Sequence, residues 1–580
     1  MLGEKWEGVL KMGKVGSFTF VLHSHLPYVI SHGTWPHGMD WLNEAASETY
    51  IPLLGVFNRL VEEGHLPKVV VGISPVLAEQ LAATSFKEGL RGYLKRKIDA
   101  AREDGAQFER WNLPNMRRLA EMWEDYFTNI LDLFDNTYRG DLIAAFKKLQ
   151  DTGAIEVIPC AGTHGYLPLL GEDSAIKAQI KVGVKTYEYY FDRHPRGIWL
   201  PECAYRPRYQ WKYPLEGFGD ERMRKGIEEF LYEDGIEYFV VDSHLLKGGR
   251  AIGVYINRFE ALKQLWKQFE REYVVEAKGI EKSPYRVYLV SSSPGGEKPV
   301  AIFTRDPETG IQVWSGEWGY PGDGNYLDFH KKHFPGGHRY WRVTSATTDL
   351  GHKEEYHPEW VEERIRENAS HFKDLVKGIL RRYRQESGRS GIVTAPFDCE
   401  LLGHWWFEGP RWLYYVLKWM DMDPEIVLTT GGEYLDNDPP QQIITLPEGS
   451  WGEGGFHWIW FNEWTKWTWE LIYDAEAKMK EMAQKYAKNS DADLSRLLRQ
   501  MARELLLLES SDWQFLISTW SARDYAELRV REHYEDFIRL YDLVQKCERG
   551  VELHIGDWEF LGDREKRDNL FADIDIGWWV

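Results

Sequence analysis

Several short apolar runs of the sequence are followed directly by polar side chains that could do chemistry. His23 and His25 end the run at 17–22, and the alternation of an extended segment turns both imidazoles to the same side. His164 and His244 follow two later runs in the same way. These histidines predict one shared pocket, in which the rings bind a metal, hydrogen-bond a polar substrate or cap the strand ends. A zinc site would also need further ligands of fixed geometry, which Asp242 or Asp398 could supply.

Two acidic residues stand out from the other carboxylates by their surroundings. Glu202 follows an apolar run and a proline, which should hold it rigidly at a strand end. Asp398 lies among Phe, Cys, Leu and Trp, a setting that raises a carboxyl pKa and suits a proton donor. Glycosidic bond chemistry requires one carboxyl in polar and one in apolar surroundings, and a separation of about 5–5.5 Å gives retention of configuration.

Tryptophan is unusually frequent, with 27 residues among an aromatic content of 14%. Indole rings either fill a core or form flat platforms on which sugar rings stack. The tryptophans are clustered beside Gly, His and acidic residues, which favours platforms for some of them. The clusters contain His404, Trp405 and Trp406, then Trp451, Trp458 and Trp460, then Trp464, Trp467 and Trp469.

Composition excludes several classes of function. The net charge of −20 disfavours binding to nucleic acid or to anionic membrane surfaces. Four scattered cysteines do not make a disulfide framework and indicate a reducing compartment. No apolar run is long enough to cross a membrane, so we expect a cytoplasmic protein without membrane contact. No motif indicates an oligomeric state.

Alternation of apolar runs with helical segments predicts parallel βα units. The polar residues follow the strand ends, where barrel folds place their chemistry, so a barrel-like catalytic domain is expected over 13–435. Residues 86–150 read as a helical insertion, and 250–312 as a lid-like insertion. From 436 to 580 the pattern predicts a separate helical domain.

Five segments resemble the signature segments of glycoside hydrolase family 57, in order along the chain. They are HSHLPY at 23–28, GTHGYLP at 162–168, WLPECAY at 199–205, APFDCELLGHWW at 395–406 and, more weakly, ENASHF at 367–372. Within that family, the segments around 202 and 404, with QVWS at 312–315 and SSDW at 510–513, are most similar to the 1,4-α-glucan branching enzymes.

The resemblance implies an α/β fold: an incomplete (β/α)7 barrel with a helical insertion and a C-terminal all-helical domain that completes the groove. It implies that Glu202 is the nucleophile and Asp398 the general acid/base, with α-glucan as substrate and without metal or other cofactor. The implied substrate contacts are His23, His25, Trp35, Trp41, His164, Asp242 and His404 at the donor sugar, Trp314, Trp451 and Trp460 along the groove, and Asp512 and Trp513 on the acceptor side. His244, Trp405 and Trp406 join this set from the strand-end pattern and the tryptophan clusters.

The implied reaction cleaves an α-1,4 bond through a glycosyl-enzyme and transfers the chain to a 6-hydroxyl, forming an α-1,6 branch. An α-amylase or 4-α-glucanotransferase would use the same two carboxylates. The hypothesis of a metal-dependent deacetylase or mannosidase is supported by the histidines alone. A non-catalytic glucan-binding protein would require neither Glu202 nor Asp398.

Overall fold

The computed structural model describes residues 13–247, 282–315 and 319–580. Its strands are short and apolar, as in β2, where all five residues of Val-Val-Val-Gly-Ile are buried. Such runs suit strands that are covered on both faces. The strands are β1 (Gly16–Ser24), β2 (Val69–Ile73), β3 (Ile155–Ile158), β4 (Gly197–Ile198), β5 (Tyr209–Trp211), β6 (Arg222–Arg224), β7 (Tyr238–Val241), β8 (Tyr288–Val290), β9 (Val300–Thr304), β10 (Gly391–Asp398), β11 (Ile426–Leu428) and β12 (Ile443–Ile444).

The barrel consists of two parallel half-sheets that meet at two narrow joins. Strands β10, β1, β2 and β3 pair in that order in one half, and β4, β7 and β9 pair in the other. A single parallel bridge between Cys160 and Trp199 joins β3 to β4, and another between Arg305 and Thr394 joins β9 to β10. Seven parallel strands therefore close a ring, and the expected incomplete (β/α)7 barrel is confirmed.

Most of the other described elements are helices. A hairpin of α4 (Thr84–Arg110) and α5 (Pro114–Asp132) leaves the barrel between β2 and β3 and covers much of the predicted 86–150 insertion. The helices are α1 (Met39–Ala45), α2 (Ile51–Glu62), α3 (Pro75–Ala82), α4 (Thr84–Arg110), α5 (Pro114–Asp132), α6 (Leu142–Asp151), α7 (Asp173–Phe191), α8 (Ile227–Glu233), α9 (Ser243–Lys247), α10 (Pro307–Trp314), α11 (Val361–Ser387), α12 (Gly409–Asp421), α13 (Gly431–Asn437), α14 (Lys466–Tyr486), α15 (Ala492–Leu508), α16 (Asp512–Thr519), α17 (Arg523–Glu548) and α18 (Ile555–Arg567).

The predicted lid-like insertion at 250–312 needs correction where the structure describes it. Residues 250–281 lie outside the described residues. The rest of the segment contains β8 and β9, and β9 pairs with β7 inside the barrel. This part is structural because its apolar strand residues complete the sheet, which the nearby run of Ser, Pro and Gly obscured in the sequence.

The C-terminal helices share a core with the barrel. Apolar residues of the barrel such as Leu167 and Phe239 belong to the same buried cluster as Trp469 and Leu505. Residues just after 436 still belong to the barrel side, since β12 pairs with β8. The purely helical part begins with α14 at Lys466, fifteen residues after Trp451. Within the described residues, no helix is long and apolar enough to span a membrane.

Close packing at the first join generates a prediction about stability. A Cβ at Gly183 in α7 would lie 2.2 Å from the carbonyl oxygen of Cys160, whereas a Cβ at Gly55 in α2 would have nothing within 4 Å. We expect Gly183→Ala to lower the free energy of unfolding by about 1–3 kcal/mol through overpacking. The matched helical change Gly55→Ala should raise it by about 0.5–1 kcal/mol. Thermal and denaturant unfolding measure both, and equal effects of the two changes would contradict this account of the join.

Candidate active site

Glu202 is held rigidly immediately beyond β4. Its backbone adopts φ 59° and ψ 24°, and Cys203 follows at φ 47°. Residues other than glycine rarely adopt this left-handed conformation. Trp451 fixes this turn twice, because its backbone N–H donates to the Glu202 carbonyl at 3.0 Å and its indole Nε1 donates to Oε2 at 2.7 Å. Strained backbone of this kind is frequent at functional sites. The side chain is 17% exposed.

Asp398 ends β10, in the opposite half-sheet, and lies in register with His23 at the end of β1. The pKa of Glu202 is raised to about 8, chiefly by burial, which the indole hydrogen bond of Trp451 opposes and the negative charges of Asp398 and Asp512 reinforce. The two acids therefore act on each other electrostatically in one pocket. The sequence suggested polar surroundings for Glu202, but its carboxyl is desolvated because Trp451 and the barrel close over it.

Three of the predicted histidines lie together at the carboxyl ends of β1 and β3. Nε2 of His23 is 3.1 Å from Nε2 of His164, and the rings of His25 and His164 stack with centroids 3.9 Å apart. Ring nitrogens of His25 and His164 hydrogen-bond the hydroxyls of Ser74 at 2.8 Å and Ser511 at 2.9 Å. Burial holds the pKa of His23 and of His164 well below the ordinary value, so both rings are neutral at pH 7.

The C-terminal domain enters the pocket through Asp512, the first residue of α16. Asp512 accepts a hydrogen bond from Nε2 of His25 at 2.9 Å and another from the hydroxyl of Ser510. Burial alone would raise the pKa of Asp512, but the nearby His25 and these hydrogen bonds lower it to about 2. This carboxylate is thus ionised, and it adds to the negative potential at Glu202.

Asp242 and His244 form a second polar group beyond β7. Nδ1 of His244 is 3.0 Å from Oδ1 of Asp242, and Arg305 donates to the other carboxylate oxygen at 3.2 Å. Burial opposes ionisation of Asp242, yet His244 and Arg305 lower its pKa to about 2. The guanidinium of Arg305 also lies 5.8 Å from the ring of Trp451, so this group supports the wall beside Glu202.

Glu400 lies within the APFDCELLGHWW segment at 395–406, but the sequence pattern did not single it out as part of the site. It is a buried carboxyl two residues after Asp398, and it accepts hydrogen bonds from the hydroxyl of Tyr50 and from the backbone N–H of His25 at 3.2 Å. Burial, with the charge of Asp398, raises the pKa of Glu400 to about 8. The spacing Asp-x-Glu at a strand end was the available signal.

His404 lies at the rim rather than with the other histidines. Its Nδ1 is 3.0 Å from Oε2 of Glu48, and Arg339 donates to the His404 carbonyl at 2.9 Å. Arg339 also pairs with Glu48 at 3.0 Å. Burial would raise the pKa of Glu48, but Arg339 and His404 lower it to about 2. His404 is thereby held in one orientation, and contact with substrate stays a prediction for it.

The tryptophans predicted to contact substrate differ in how much of the ring is exposed to solvent. The ring of Trp314 is centred 6.3 Å from that of Phe397, the neighbour of Asp398 in sequence, and 6.2 Å from that of Trp405. Trp35 is 73% exposed and Trp41 is half-buried, 5.7 Å from Tyr525 of α17.

Trp406, Trp460 and Trp513 are interior residues in this structure, and their contact with substrate stays a prediction. Each is less than 2% exposed. Trp406 packs 5.2 Å from Trp412, Trp460 stacks on Tyr166 at 4.4 Å, and the indole of Trp513 donates to the Leu507 carbonyl. Their flat rings fill the core behind the pocket, because the rings of neighbouring elements already cover their faces.

Three groups of the described residues have ligand atoms close enough to hold a metal. They are His23, Cys160 and His164, then His25, His164 and Asp512, then Glu504, His533 and Asp568. The second group is the one at Glu202. Its His25 and Asp512 atoms lie 2.9 Å apart, whereas two ligands of a tetrahedral zinc, each bonded at about 2.0–2.1 Å, lie about 3.3 Å apart. A direct hydrogen bond therefore accounts for this contact.

A parallel barrel with two electrostatically coupled carboxyls and indoles at the strand ends defines a carbohydrate-active enzyme. A family model described as glycosyl hydrolase family 57 matches residues 19–420, and one described as 1,4-alpha-glucan branching enzyme, C-terminal, matches 471–579. The chain belongs to glycoside hydrolase family 57, as its motifs predicted.

Similar proteins come from archaea and bacteria. A curated 1,4-alpha-glucan branching enzyme of Thermococcus kodakarensis is 43% identical over 97% of this chain and 78% of its own length. A solved GH57-type branching enzyme from Pyrococcus horikoshii is 42% identical, with a TM-score of 0.86 over 98% of this chain and 97% of that one. The α-amylase AmyC of Thermotoga maritima is 30% identical, with a TM-score of 0.78 over 97% and 99% of the two chains.

The hydrogen-bonded histidine group generates a prediction about metal content. Because His25 and His164 already bond Ser74, Ser511 and Asp512, we expect the purified protein to contain far less than one zinc per chain. Elemental analysis after expression in zinc-supplemented medium measures this, and treatment with a chelator should leave thermal stability unchanged. One equivalent of zinc, removed together with activity, would support the metal-dependent alternative instead.

Proposed function

We propose that this chain is a retaining 1,4-α-glucan branching enzyme in which Glu202 is the nucleophile and Asp398 the general acid/base. The prediction of a branching enzyme is confirmed by the relatives at 42–43% identity and by the match of its C-terminal helices. The observation that supports the two roles is that Glu202 and Asp398 lie at the carboxyl ends of β4 and β10, where the charge of Asp398 contributes to the raised pKa of Glu202.

Glu202 is suited to attack because its position is fixed before substrate binds. The strained turn and the two hydrogen bonds from Trp451 leave Oε1 as the oxygen that is free of the indole. Attack of a Glu202 oxygen on the anomeric carbon forms the glycosyl-enzyme, while Asp398 donates a proton to the departing oxygen. The leaving chain, now with a free hydroxyl, can then diffuse away.

The second step reverses the proton transfer. Asp398, now a base, removes the proton of a glucose 6-hydroxyl, and that oxygen displaces Glu202 to form an α-1,6 bond. Water competes with this acceptor for the same intermediate. Transfer prevails where the acceptor is held in attack geometry and water is excluded. The buried rings of Trp451 and Trp199, centred 5.0 Å apart beside Glu202, favour such exclusion.

An α-amylase is the second candidate, favoured by the similarity to AmyC of Thermotoga maritima at 30% identity. It would use the same two acids with water as acceptor. The helical region argues for transfer, because residues 471–579 match the branching-enzyme C-terminal model and Asp512 from this region enters the pocket.

Removing either acid should abolish the reaction. We expect Glu202→Gln and Asp398→Asn each to lower kcat on amylose by at least about a thousandfold, because each change removes the nucleophile or the proton donor. Binding of amylose should persist. New α-1,6 linkages are counted by enzymatic debranching and chain-length analysis, alongside release of reducing sugar.

The matched control is Glu408→Gln. Glu408 is a fully buried carboxyl that accepts hydrogen bonds from the Leu327 backbone and the Tyr356 hydroxyl and lies outside the pair. This variant should keep near wild-type turnover. Wild-type turnover of Glu202→Gln would refute the assigned nucleophile, and a wild-type protein that yields only shorter linear chains and reducing sugar would be a hydrolase.

The raised pKa of Glu202 generates a prediction about pH. Glu202 must be ionised to attack, so kcat/KM should rise as pH increases toward about 8, the pKa of this carboxyl. The indole N–H of Trp451 stabilises the carboxylate and lowers its pKa, so Trp451→Phe should move this acidic limb to higher pH. Trp460→Phe, which alters a ring stacked on Tyr166, should leave the limb in place. An unmoved limb in Trp451→Phe would assign it to another group.

A further inference from the structure

Two tryptophans form a pair on the surface of the C-terminal helical domain. Trp464 precedes α14 and Trp520 follows α16, and their ring centroids are 5.1 Å apart with an interplanar angle of 39°. Trp520 is 50% exposed and Trp464 is half-buried. The indole of Trp520 therefore presents much of its surface to solvent while Trp464 supports it from one side.

The backbone at Trp520 is as unusual as its exposure. The residue caps the carboxyl end of α16 at φ 57° and ψ 17°, the left-handed conformation for which glycine is the ordinary choice. A large aromatic residue there is strained, and its exposed ring gains little from burial. Strain that gives no packing benefit is characteristic of residues kept for binding.

The pair lies at the far end of the helix that enters the catalytic pocket. Asp512 begins α16, and eight residues at about 1.5 Å each place Trp520 about 12 Å further along the helix axis. Tyr525, in the first turn of α17, contacts both Trp513 and Trp41. The corner between α16 and α17 that carries Trp520 is thus joined to the pocket by aromatic contacts.

The surroundings of the pair favour a neutral ligand. Two of the nearby cations are paired, with Arg523 bonded to Glu527 at 2.7 Å and Lys466 to Glu463 at 2.7 Å. A pair of hydroxyls, Thr519 and Ser521, lies beside Trp520 with their oxygens 2.8 Å apart. Flat indoles next to hydroxyls suit sugar rings, which offer apolar faces and polar edges.

The size of the pair argues against a protein partner. Two aromatic side chains bury roughly 300–500 Å² at most, since each buries 150–250 Å². A stable protein interface needs about 800 Å² on each side. A single polysaccharide strand is narrow enough to be held by two rings.

We propose that Trp464 and Trp520 form a binding platform for a distal portion of an α-1,4-glucan chain whose reacting end occupies the pocket at Glu202. The inference rests on the proposed function, since the chain is taken to be its substrate. The platform holds long chains near the enzyme without touching the reacting bond. It therefore acts on affinity for polymers and leaves the chemical step unchanged.

Trp520→Gly separates binding from folding. Glycine removes the indole and also relieves the left-handed strain, so thermal stability should be equal to or higher than that of wild type. We expect the dissociation constant for amylose, measured by affinity gel electrophoresis, to rise about three- to tenfold, the range typical of one aromatic contact. Turnover at saturating amylose should be unchanged, because the platform does not touch the reacting bond.

The control is Trp111→Gly. Trp111 also caps the carboxyl end of a helix, α4, and is 55% exposed, but its backbone is at φ −85° and no strain is relieved. Its amylose affinity should equal that of wild type. Trp520→Phe, which keeps an aromatic ring, should lose less affinity than Trp520→Gly.

The outcomes distinguish the platform from the proposed function. If wild type forms α-1,6 linkages and Trp520→Gly binds amylose as tightly as wild type, the platform is refuted and the branching function stands. An equal loss of affinity in Trp111→Gly also refutes it. If wild type forms no α-1,6 linkages, the proposed function fails, whereas weaker amylose binding by Trp520→Gly alone still supports a glucan platform.

Discussion

Holding two carboxyl groups in one poorly hydrated pocket is the constraint on which the rest of this structure depends. Burial raises the free energy of a carboxylate, and a second negative charge nearby raises it again. The pKa of Glu202, raised to about 8, expresses both effects. Trp451 donates hydrogen bonds to Glu202 from its indole and from its backbone N–H. These bonds hold the carboxyl in a position where burial disfavours its charged form.

The architecture of the barrel brings these acids together from different half-sheets. Each half-sheet is hydrogen-bonded within itself, and single bridges at Cys160–Trp199 and Arg305–Thr394 connect them. Glu202 follows β4, immediately after the first join, and Asp398 ends β10, immediately after the second. Closure of the ring is therefore what makes one site from two separate strand ends.

The helical domain is part of the site as well as of the core. Asp512 bonds His25 inside the pocket, while Leu505 and Trp469 pack with residues of the barrel. An element that supplies both packing and an ionised carboxylate ties the position of the pocket wall to the folding of the whole chain. The region matched by the branching-enzyme C-terminal model is the one that makes this contact.

Sequence reasoning located the strand ends well, because apolar β-branched runs followed by polar residues have a direct physical cause. His23, His164 and Asp242 were expected at one end of a barrel, and the structure places them there. It did not distinguish interior tryptophans such as Trp406, Trp460 and Trp513 from exposed ones, since a run of tryptophans looks the same whether its rings face a groove or a core. It also missed Glu400, whose importance comes from Tyr50, a residue far away in sequence.

The sequence by itself determined the family and the alternation of strands and helices, and it generated the hypothesis that Glu202 and Asp398 are the two acids, because motifs and hydrophobic periodicity are local properties. Only the tertiary structure decided which carboxyl is desolvated, which indoles remain exposed and how the helical domain reaches the pocket. Desolvation and electrostatic interaction depend on what surrounds a group in space, and residues such as Glu202, Trp451 and Asp512 become neighbours only when the barrel closes and the helices pack against it.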